Sequence, residues 1–162
     1  MADVAQSDRA IDRLLAEYGE SHQNPTNKKI HWFAVPTIFW TVVALLWSLP
    51  VPEFMTALPL VNWATIALAG AVIYYFTLSV PLAIGMLLFT IFCMVEVVIF
   101  QMLVPVALWK AALIIFVIAW IAQFYGHKIE GKKPSFFKDV QFLLIGPAWL
   151  MSFIYRRFAI SY

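Results

Sequence analysis

The stretch Phe54–Val95, "FMTALPLVNWATIALAGAVIYYFTLSVPLAIGMLLFTIFCMV", contains no Asp, Glu, Lys or Arg. A spanning helix needs roughly 20 apolar residues, so this run is long enough for two. A second uncharged run lies between Lys29 and Glu53, and the chain of 162 residues is 63% hydrophobic and only 12% charged. Soluble domains average about 25% charged residues. The sequence therefore predicts an all-α integral membrane protein.

Proline-containing breaks divide the apolar sequence into four predicted transmembrane helices. These spans cover Trp32–Leu49, Leu58–Leu78, Pro81–Leu103 and Leu108–Gly126. Before them, apolar residues at helical spacing predict an amphipathic helix from a cap at Ser7 to a stop at Gly19. That helix would lie along the membrane surface or against the rest of the protein. The sequence "NPTN", Asn24–Asn27, predicts a turn.

The last apolar stretch, "VQFLLIGPAWLMSFIY", is interrupted by Gly146 and Pro147. It predicts a C-terminal hairpin or interfacial helix, with a fifth spanning helix as the alternative. We therefore predict one membrane-embedded domain over residues 1–162. It comprises a cytosolic helix and turn (1–29), four spans (30–126), and a cytosolic loop with the interfacial segment (127–162).

The lysines predict the orientation of these spans. Lys28 and Lys29 precede the first span, whereas Lys128, Lys132, Lys133 and Lys138 follow the fourth. Because cytoplasmic loops are rich in Lys and Arg, the N-terminus and the loop after the fourth span are predicted to be cytosolic. The membrane would be the inner membrane of a bacterium or the endoplasmic reticulum membrane of a eukaryote.

Other features of the sequence exclude several classes of protein. The basic residues are not interleaved with exposed aromatics, which argues against a nucleic-acid partner. The only cysteine, Cys93, cannot form an intrachain disulfide. Glu96 lies within the third span, on the side predicted to be far from the cytosol, and we expect it to be an interfacial or interhelical hydrogen-bonding group.

The chain has three histidines, and the predicted topology brings all of them to one membrane face. His22 and His31 stand at the entrance of the first span, and His127 stands at the exit of the fourth. Imidazole is the commonest ligand for transition metals, so the three can form a metal site. Two alternatives remain open at this point. His31 and His127 can be axial ligands of a haem, or the histidines can be interfacial residues of a non-catalytic scaffold or lipid-binding protein.

Two stretches resemble the signatures of a known family. "YGESHQNPTNKKIHWFAVP" resembles Tyr-x-x-x-His-x-x-x-x-Asn-x-x-x-His followed by Val-Pro, with matches at Tyr18, His22, Asn27 and His31. "WIAQFYGHKIEGKKPSF" resembles Trp-x-x-Gln-Phe-x-Gly-His followed by acidic and basic residues, with matches at Trp120, Gln123, Gly126, His127, Glu130, Lys132 and Lys133. Over nearly its whole length the chain resembles the 2-hydroxy fatty acid dioxygenase family, whose fungal members act in fatty acid α-oxidation.

The resemblance implies an Fe(II)-dependent dioxygenase that removes one carbon from a long-chain 2-hydroxy fatty acid at the cytosolic surface of the lipid bilayer. Its substrates would be that acid and dioxygen. Three imidazoles leave three positions on a six-coordinate iron, two for the hydroxyl and carboxylate of the acid and one for dioxygen. No nucleotide cofactor is expected, because the chain lacks a Gly-rich nucleotide fingerprint.

The resemblance also implies roles for individual residues. His22, His31 and His127 would hold the iron. Asn27, Gln123 and Glu130 are candidates for orienting the imidazoles, and Tyr18 would cover the iron or hydrogen-bond to oxygen. Lys132 and Lys133 would hold the substrate carboxylate, although contact with lipid headgroups is an equally good explanation for these lysines.

Overall fold

The computed structural model describes residues 9–58, 60–131 and 136–162, including the helical path of residues 136–140 but not their side chains. Throughout this part of the chain the regular secondary structure is helical, without any strand. The helices are α1 (Ala10–Glu20), α2 (Pro25–Trp47), α3 (Glu53–Thr56), α4 (Trp63–Leu78), α5 (Val80–Leu103), α6 (Leu108–Glu130) and α7 (Phe136–Arg157). The all-α prediction is confirmed for these residues.

Among the described residues, three helices are long and apolar enough to cross a membrane, namely α2, α5 and α6. Each is about 35 Å long at 1.5 Å per residue, against a hydrocarbon core of about 30 Å. Helix α4 has 16 residues and is about 24 Å long. It is shorter than predicted because Asn62 and Thr65 form a capping box that starts the helix at Trp63. Three of the four predicted spans therefore have the length to cross.

Helix α2 begins earlier than predicted. The side chain of Asn24 accepts hydrogen bonds from the backbone N–H groups of Thr26 (2.8 Å) and Asn27 (3.4 Å), and Pro25 occupies the first helical position. Asn is a favoured N-cap, and the fixed φ of Pro suits the first turn of a helix. The turn predicted over Asn24–Asn27 is therefore wrong. His31 consequently lies inside α2 rather than at its entrance.

Helices α2 and α6 pack along each other as an antiparallel pair. Asn27 lies against Gly126 at one end, whereas Ala44 clusters with Leu108 and Ala112 at the other. Small buried residues allow two helix backbones to approach closely. On these helices they include Ala34, Ala44, Ala112, Ala119 and Gly126. Because the pair is antiparallel, His31 near the start of α2 and His127 near the end of α6 lie at the same end of the molecule.

Helices α1 and α7 pack together and complete that end. Ile11, Leu15 and Tyr18 of α1 share a buried cluster with Ala148 and Trp149 of α7. Helix α1 therefore lies against the rest of the protein, which was one of the two predicted arrangements, and its predicted cap, Ser7, lies outside the described residues. Helix α7 runs without interruption from Phe136 to Arg157 with Pro147 inside it. The predicted hairpin at this point is therefore wrong.

Two tyrosines connect α7 to its neighbours. Pro147 has no N–H, so the carbonyl of Leu143, four residues before it, has no helical partner. The next carbonyl, that of Leu144, accepts a hydrogen bond of 2.7 Å from Tyr75 Oη of α4. Tyr155 Oη of α7 donates in turn to the Pro81 carbonyl of α5 at 2.6 Å. These bonds connect α7 to the helices that carry no histidine.

Replacing Tyr75 with phenylalanine is expected to destabilise the protein by about 1–2 kcal/mol, because it removes this buried hydrogen bond and leaves the ring in place. Thermal unfolding of the purified protein in detergent measures the change. The same replacement at Tyr74, which is only half-buried, is the matched control and should leave the unfolding temperature nearly unchanged. Equal unfolding temperatures for the two variants would contradict this role of Tyr75.

Candidate metal centre

The three histidines come from three separate parts of the chain. His22 lies in the short segment between α1 and α2, His31 lies in α2, and His127 lies in the last turn of α6. All three are buried, with exposed fractions of 2%, 0% and 7%. Histidine is rarely so buried without a partner, so the surroundings of each ring need an account.

The imidazole rings contact one another. The ring centroids of His22 and His31 are 4.2 Å apart, those of His31 and His127 are 5.0 Å apart, and those of His22 and His127 are 5.2 Å apart. One nitrogen from each ring lies within 4.8 Å of the corresponding nitrogens of the other two. The fold therefore brings the three rings into a single buried triangle.

Hydrogen bonds determine which nitrogen of His22 and His31 carries the proton. Nδ1 of His22 lies 2.5 Å from the Tyr18 carbonyl oxygen, and Nδ1 of His31 lies 2.9 Å from the Asn27 carbonyl oxygen. Because a carbonyl oxygen only accepts, each Nδ1 donates its hydrogen and each Nε2 keeps a free lone pair. Metal-binding histidines are typically oriented in this way.

Each ring also has one buried nitrogen that finds no partner among the described residues. These atoms are Nε2 of His22, Nε2 of His31 and Nδ1 of His127. Metal–nitrogen bonds are about 2.1 Å long, so two ligands of one ion lie at most roughly 4.2 Å apart. One ligand nitrogen from each ring lies within 4.8 Å of the other two, which is close to the roughly 3–4.2 Å spacing of nitrogens that bind one ion. The triangle therefore fits a transition-metal ion.

The protonation state of His22 also suits metal binding. Burial lowers the pKa of His22 to about 4, although its hydrogen bond to the Tyr18 carbonyl acts in the opposite direction. The neighbouring His127 lowers the pKa further. The His22 ring is therefore neutral at pH 7, which is the form that binds a metal.

Glu130 connects the His22 segment to the helix that carries His127. Its Oε1 accepts a hydrogen bond from the backbone N–H of Gln23 at 2.8 Å. Its Oε2 accepts from the backbone N–H of Asn24 at 2.9 Å and from Asn27 Nδ2 at 3.0 Å. The carboxylate thus holds the start of α2 rather than pointing a free oxygen at the histidines.

Replacing Glu130 with glutamine is expected to weaken metal binding by about tenfold, within the 10–100-fold usual for groups that support a ligand. The amide has one acceptor oxygen where the carboxylate has two, so part of the network must break. Metal titration of the purified protein measures the loss. Glu53, an exposed carboxylate in the first turn of α3, is the matched control, and its change to glutamine should leave the affinity unchanged. Equal affinities in the two variants would show that the Glu130 network does not support the site.

Asn27 and Gly126 bring α2 and α6 into contact beside the centre. Asn27 is fully buried, and its Nδ2 also donates to the Ser21 carbonyl at 3.2 Å. A methyl group placed on Gly126 would overlap Asn27 Oδ1 and would lie 3.5 Å from Cε1 of His31. Only glycine fits this position without displacing Asn27, which explains why glycine precedes His127.

Aromatic side chains of α1 and α7 cluster beside His22. The ring of Tyr18 stacks on His22, with centroids 4.2 Å apart and planes 10° apart. Trp149 lies 5.3 Å from both rings, and Phe142 meets Tyr18 edge-on at 5.2 Å. Trp149 and Phe142 are not among the site residues predicted from the sequence. Their apolar surroundings in the chain look the same as those of lipid-facing residues, and only the docking of α7 brings them to the site.

The remaining predicted site residues are at the edge of this centre or beyond the described part. Gln123 precedes His127 by one helical turn on the same face of α6, and its buried Oε1 has no partner among the described residues. Lys132 and Lys133 lie outside the described residues, beyond Gly131, whose φ of 73° ends α6.

Comparison with known proteins gives one match. A family model described as 2-hydroxy-palmitic acid dioxygenase Mpo1-like matches residues 9–158, a range that includes every described helix and all three histidines. No curated protein and no solved structure matches the chain. The family predicted from the two sequence signatures is therefore confirmed. The chain belongs to the Mpo1-like family.

Proposed function

We propose that this protein is a membrane-bound, Fe(II)-dependent dioxygenase that shortens long-chain 2-hydroxy fatty acids by one carbon. One observation carries the proposal. Three buried imidazoles, each with a nitrogen that has no partner in the described structure, converge within 4.8 Å. The family description, which names a 2-hydroxy-palmitic acid dioxygenase, supports the substrate class.

His22, His31 and His127 would hold the ion, and Fe(II) when bound supplies a redox-active centre with positions left for substrate and dioxygen. The surrounding protein keeps the three rings in place. The carbonyl groups of Tyr18 and Asn27 hold the Nδ1–H groups of His22 and His31. The stacked ring of Tyr18 restrains His22 from its other side. This preorganisation limits the rearrangement that metal binding requires.

The proposed reaction balances without another reductant. A 2-hydroxy acid and dioxygen give the acid one carbon shorter, carbon dioxide and water. The organic substrate loses four electrons, and reduction of dioxygen to the level of water takes up four. This balance agrees with a chain in which we find no fingerprint for a nucleotide cofactor.

The position of the centre suits an amphiphilic substrate. His31 and His127 lie near the ends of two helices that are long enough to cross a bilayer. The acid headgroup would reach the histidines from the interface while the acyl chain stays in the hydrocarbon region. Gln123 would receive a hydrogen bond from this headgroup, and Lys132 and Lys133 would attract its carboxylate. In this proposal α4 makes a fourth crossing, and the lysine distribution places the site on the cytosolic side.

Oxygen consumption tests the function directly. Purified protein loaded with Fe(II) is supplied with 2-hydroxypalmitate under air, and dioxygen uptake and products are measured together. We expect equal amounts of dioxygen consumed and pentadecanoic acid formed. Palmitate, which lacks only the 2-hydroxyl, is the matched control and should give neither. Iron-loaded protein that leaves 2-hydroxypalmitate unchanged would refute the substrate assignment, and zinc-loaded protein with full activity would refute the redox role.

A haem protein is a weaker proposal for this site. Axial coordination by His31 and His127 would place a porphyrin between their rings. The His22 ring, however, lies 4.2 Å from His31 and 5.2 Å from His127, so the macrocycle would overlap it. A haem protein would also absorb strongly in the visible region, and an absorption spectrum of the purified protein decides between the two proposals.

A non-catalytic scaffold or lipid-binding protein is the other alternative. It would use the histidines only as packing residues, and packing residues normally satisfy their polar atoms when buried. The three nitrogens without partners in the described structure favour a bound ligand instead. Metal analysis of the wild-type protein separates these two alternatives, because a scaffold would contain no stoichiometric metal.

A further inference from the structure

A second feature of the molecule lies away from the histidines. A groove with a volume of about 710 Å³ runs between α2, α5 and α6. Ligand pockets commonly have volumes of about 300–1,000 Å³. The groove is lined mainly by apolar side chains, including Pro36, Trp40, Phe92, Phe100 and Ile115, and Glu96 is the one carboxylate in its lining.

The groove is separate from the metal centre. At 3.6 residues per turn, Pro36 and Trp40 lie about 140° and 180° around α2 from His31. The groove and the histidines therefore use opposite faces of α2. Glu96 lies in the half of α5 farther from His127, about 10 Å along the axis from Leu103, the last residue of α5. A ligand in this groove would not reach the proposed iron.

Glu96 was predicted to be an interfacial or interhelical hydrogen-bonding group. No hydrogen bond or ion pair from a described residue reaches its carboxylate, so an interhelical bond is not found among these residues. Aromatic side chains line the same groove. Phe92 and Phe100 lie four residues before and after Glu96, hence on the same face of α5. Across the groove, the ring of Trp40 lies 6.0 Å from that of Phe100. Aromatic rings attract ammonium groups, and a carboxylate in the same groove adds the opposite charge.

We infer that this groove binds a single-chain amphiphile with an ammonium headgroup, independently of the proposed dioxygenase activity. The ammonium pairs with Glu96 and lies against the rings of Trp40 and Phe100. A carboxylate in apolar surroundings is unfavourable unless it is paired, and a cationic headgroup removes this penalty. From Glu96 the lining on α5 extends for about 10 Å towards Phe89 and about 10 Å towards Leu103, so the part of the alkyl chain next to the headgroup lies in the groove.

Photolabelling tests the inference on the full-length protein in an uncharged maltoside detergent. Three hexadecyl probes carry the same diazirine in the chain and differ only in the headgroup, which is a primary amine, a carboxylic acid or an alcohol. The labelled peptides are identified by mass spectrometry. We expect the amine to label the groove residues of α5 at least about tenfold more than the acid, as expected for a desolvated ion pair.

The variant Glu96→Gln should reduce amine labelling by about tenfold, because it removes the charge and keeps the shape. Glu53→Gln, at an exposed carboxylate outside the groove, is the matched control and should label as the wild type does. Equal labelling by amine and acid, full labelling of Glu96→Gln, or labels spread over all lipid-facing helices would overturn the inference. An alcohol probe as effective as the amine would overturn the ammonium assignment. If Glu96→Gln fails to fold, the comparison of headgroups on the wild type still decides.

Discussion

Replacing His31 with alanine is expected to abolish stoichiometric metal binding and, with it, consumption of dioxygen. His31 is fully buried, its Nδ1 donates to the Asn27 carbonyl, and its Nε2 has no partner in the described structure. The change removes one of three candidate ligands, so we expect affinity to fall by more than the roughly 10–100-fold seen for supporting groups. Metal analysis after gel filtration and oxygen uptake with 2-hydroxypalmitate measure the two losses.

The control lies on the same helix. Thr41 is also fully buried in α2, and its hydroxyl bonds only to the Ile38 carbonyl within the described part of the chain. Thr41→Val should retain metal and activity. Added imidazole should restore part of the metal bound by the His31→Ala variant, since it can occupy the vacated space. A His31→Ala protein that binds metal as tightly as the wild type would show that the histidine triangle is not the metal site.

The second large effect is expected at Gly126, where alanine should destabilise the protein by about 1–3 kcal/mol, the usual range for overpacking a buried contact. The added methyl group would overlap Asn27 Oδ1. Asn27 has little freedom to move, because it is fully buried and bonded to both Ser21 and Glu130. Displacing it disturbs the carbonyl that holds His31, so metal affinity should fall together with the unfolding temperature.

Gly70 is the matched control for this prediction. It lies in α4, and a methyl group there would have nothing within 4 Å. Because alanine is favoured over glycine in a helix by up to about 1 kcal/mol, Gly70→Ala should be neutral or stabilising. Thermal unfolding and metal titration of the two variants measure the contrast. Wild-type affinity and stability in Gly126→Ala would contradict the close contact between α2 and α6.

Errors in the predicted helices have local causes. Asn24 and Pro25 are common both in turns and at helix starts, and only the hydrogen bonds of the Asn24 side chain show which applies here. The pair Gly146 and Pro147 is equally ambiguous. Helix α7 continues through it, packed against α1 and hydrogen-bonded to Tyr75. At Asn24 the N-cap hydrogen bonds select the helix, and at Gly146 and Pro147 the contacts of α7 with α1 and Tyr75 select it.

The sequence by itself determined the helical class, the approximate position of the apolar segments and the family. The bilayer demands long uncharged runs, and the two histidine signatures are local patterns that can be read directly. An even number of predicted crossings also assigned His22, His31 and His127 to the same end.

Only the tertiary structure decided which ring nitrogens converge, that Glu130 bonds to the start of α2, and that Trp149 supports the site. These features join residues more than one hundred positions apart, such as Gln23 and Glu130. They depend on how each helix is rotated about its axis and how closely it approaches its neighbour. Packing between distant side chains sets both quantities, and hydropathy along the chain carries no information about them.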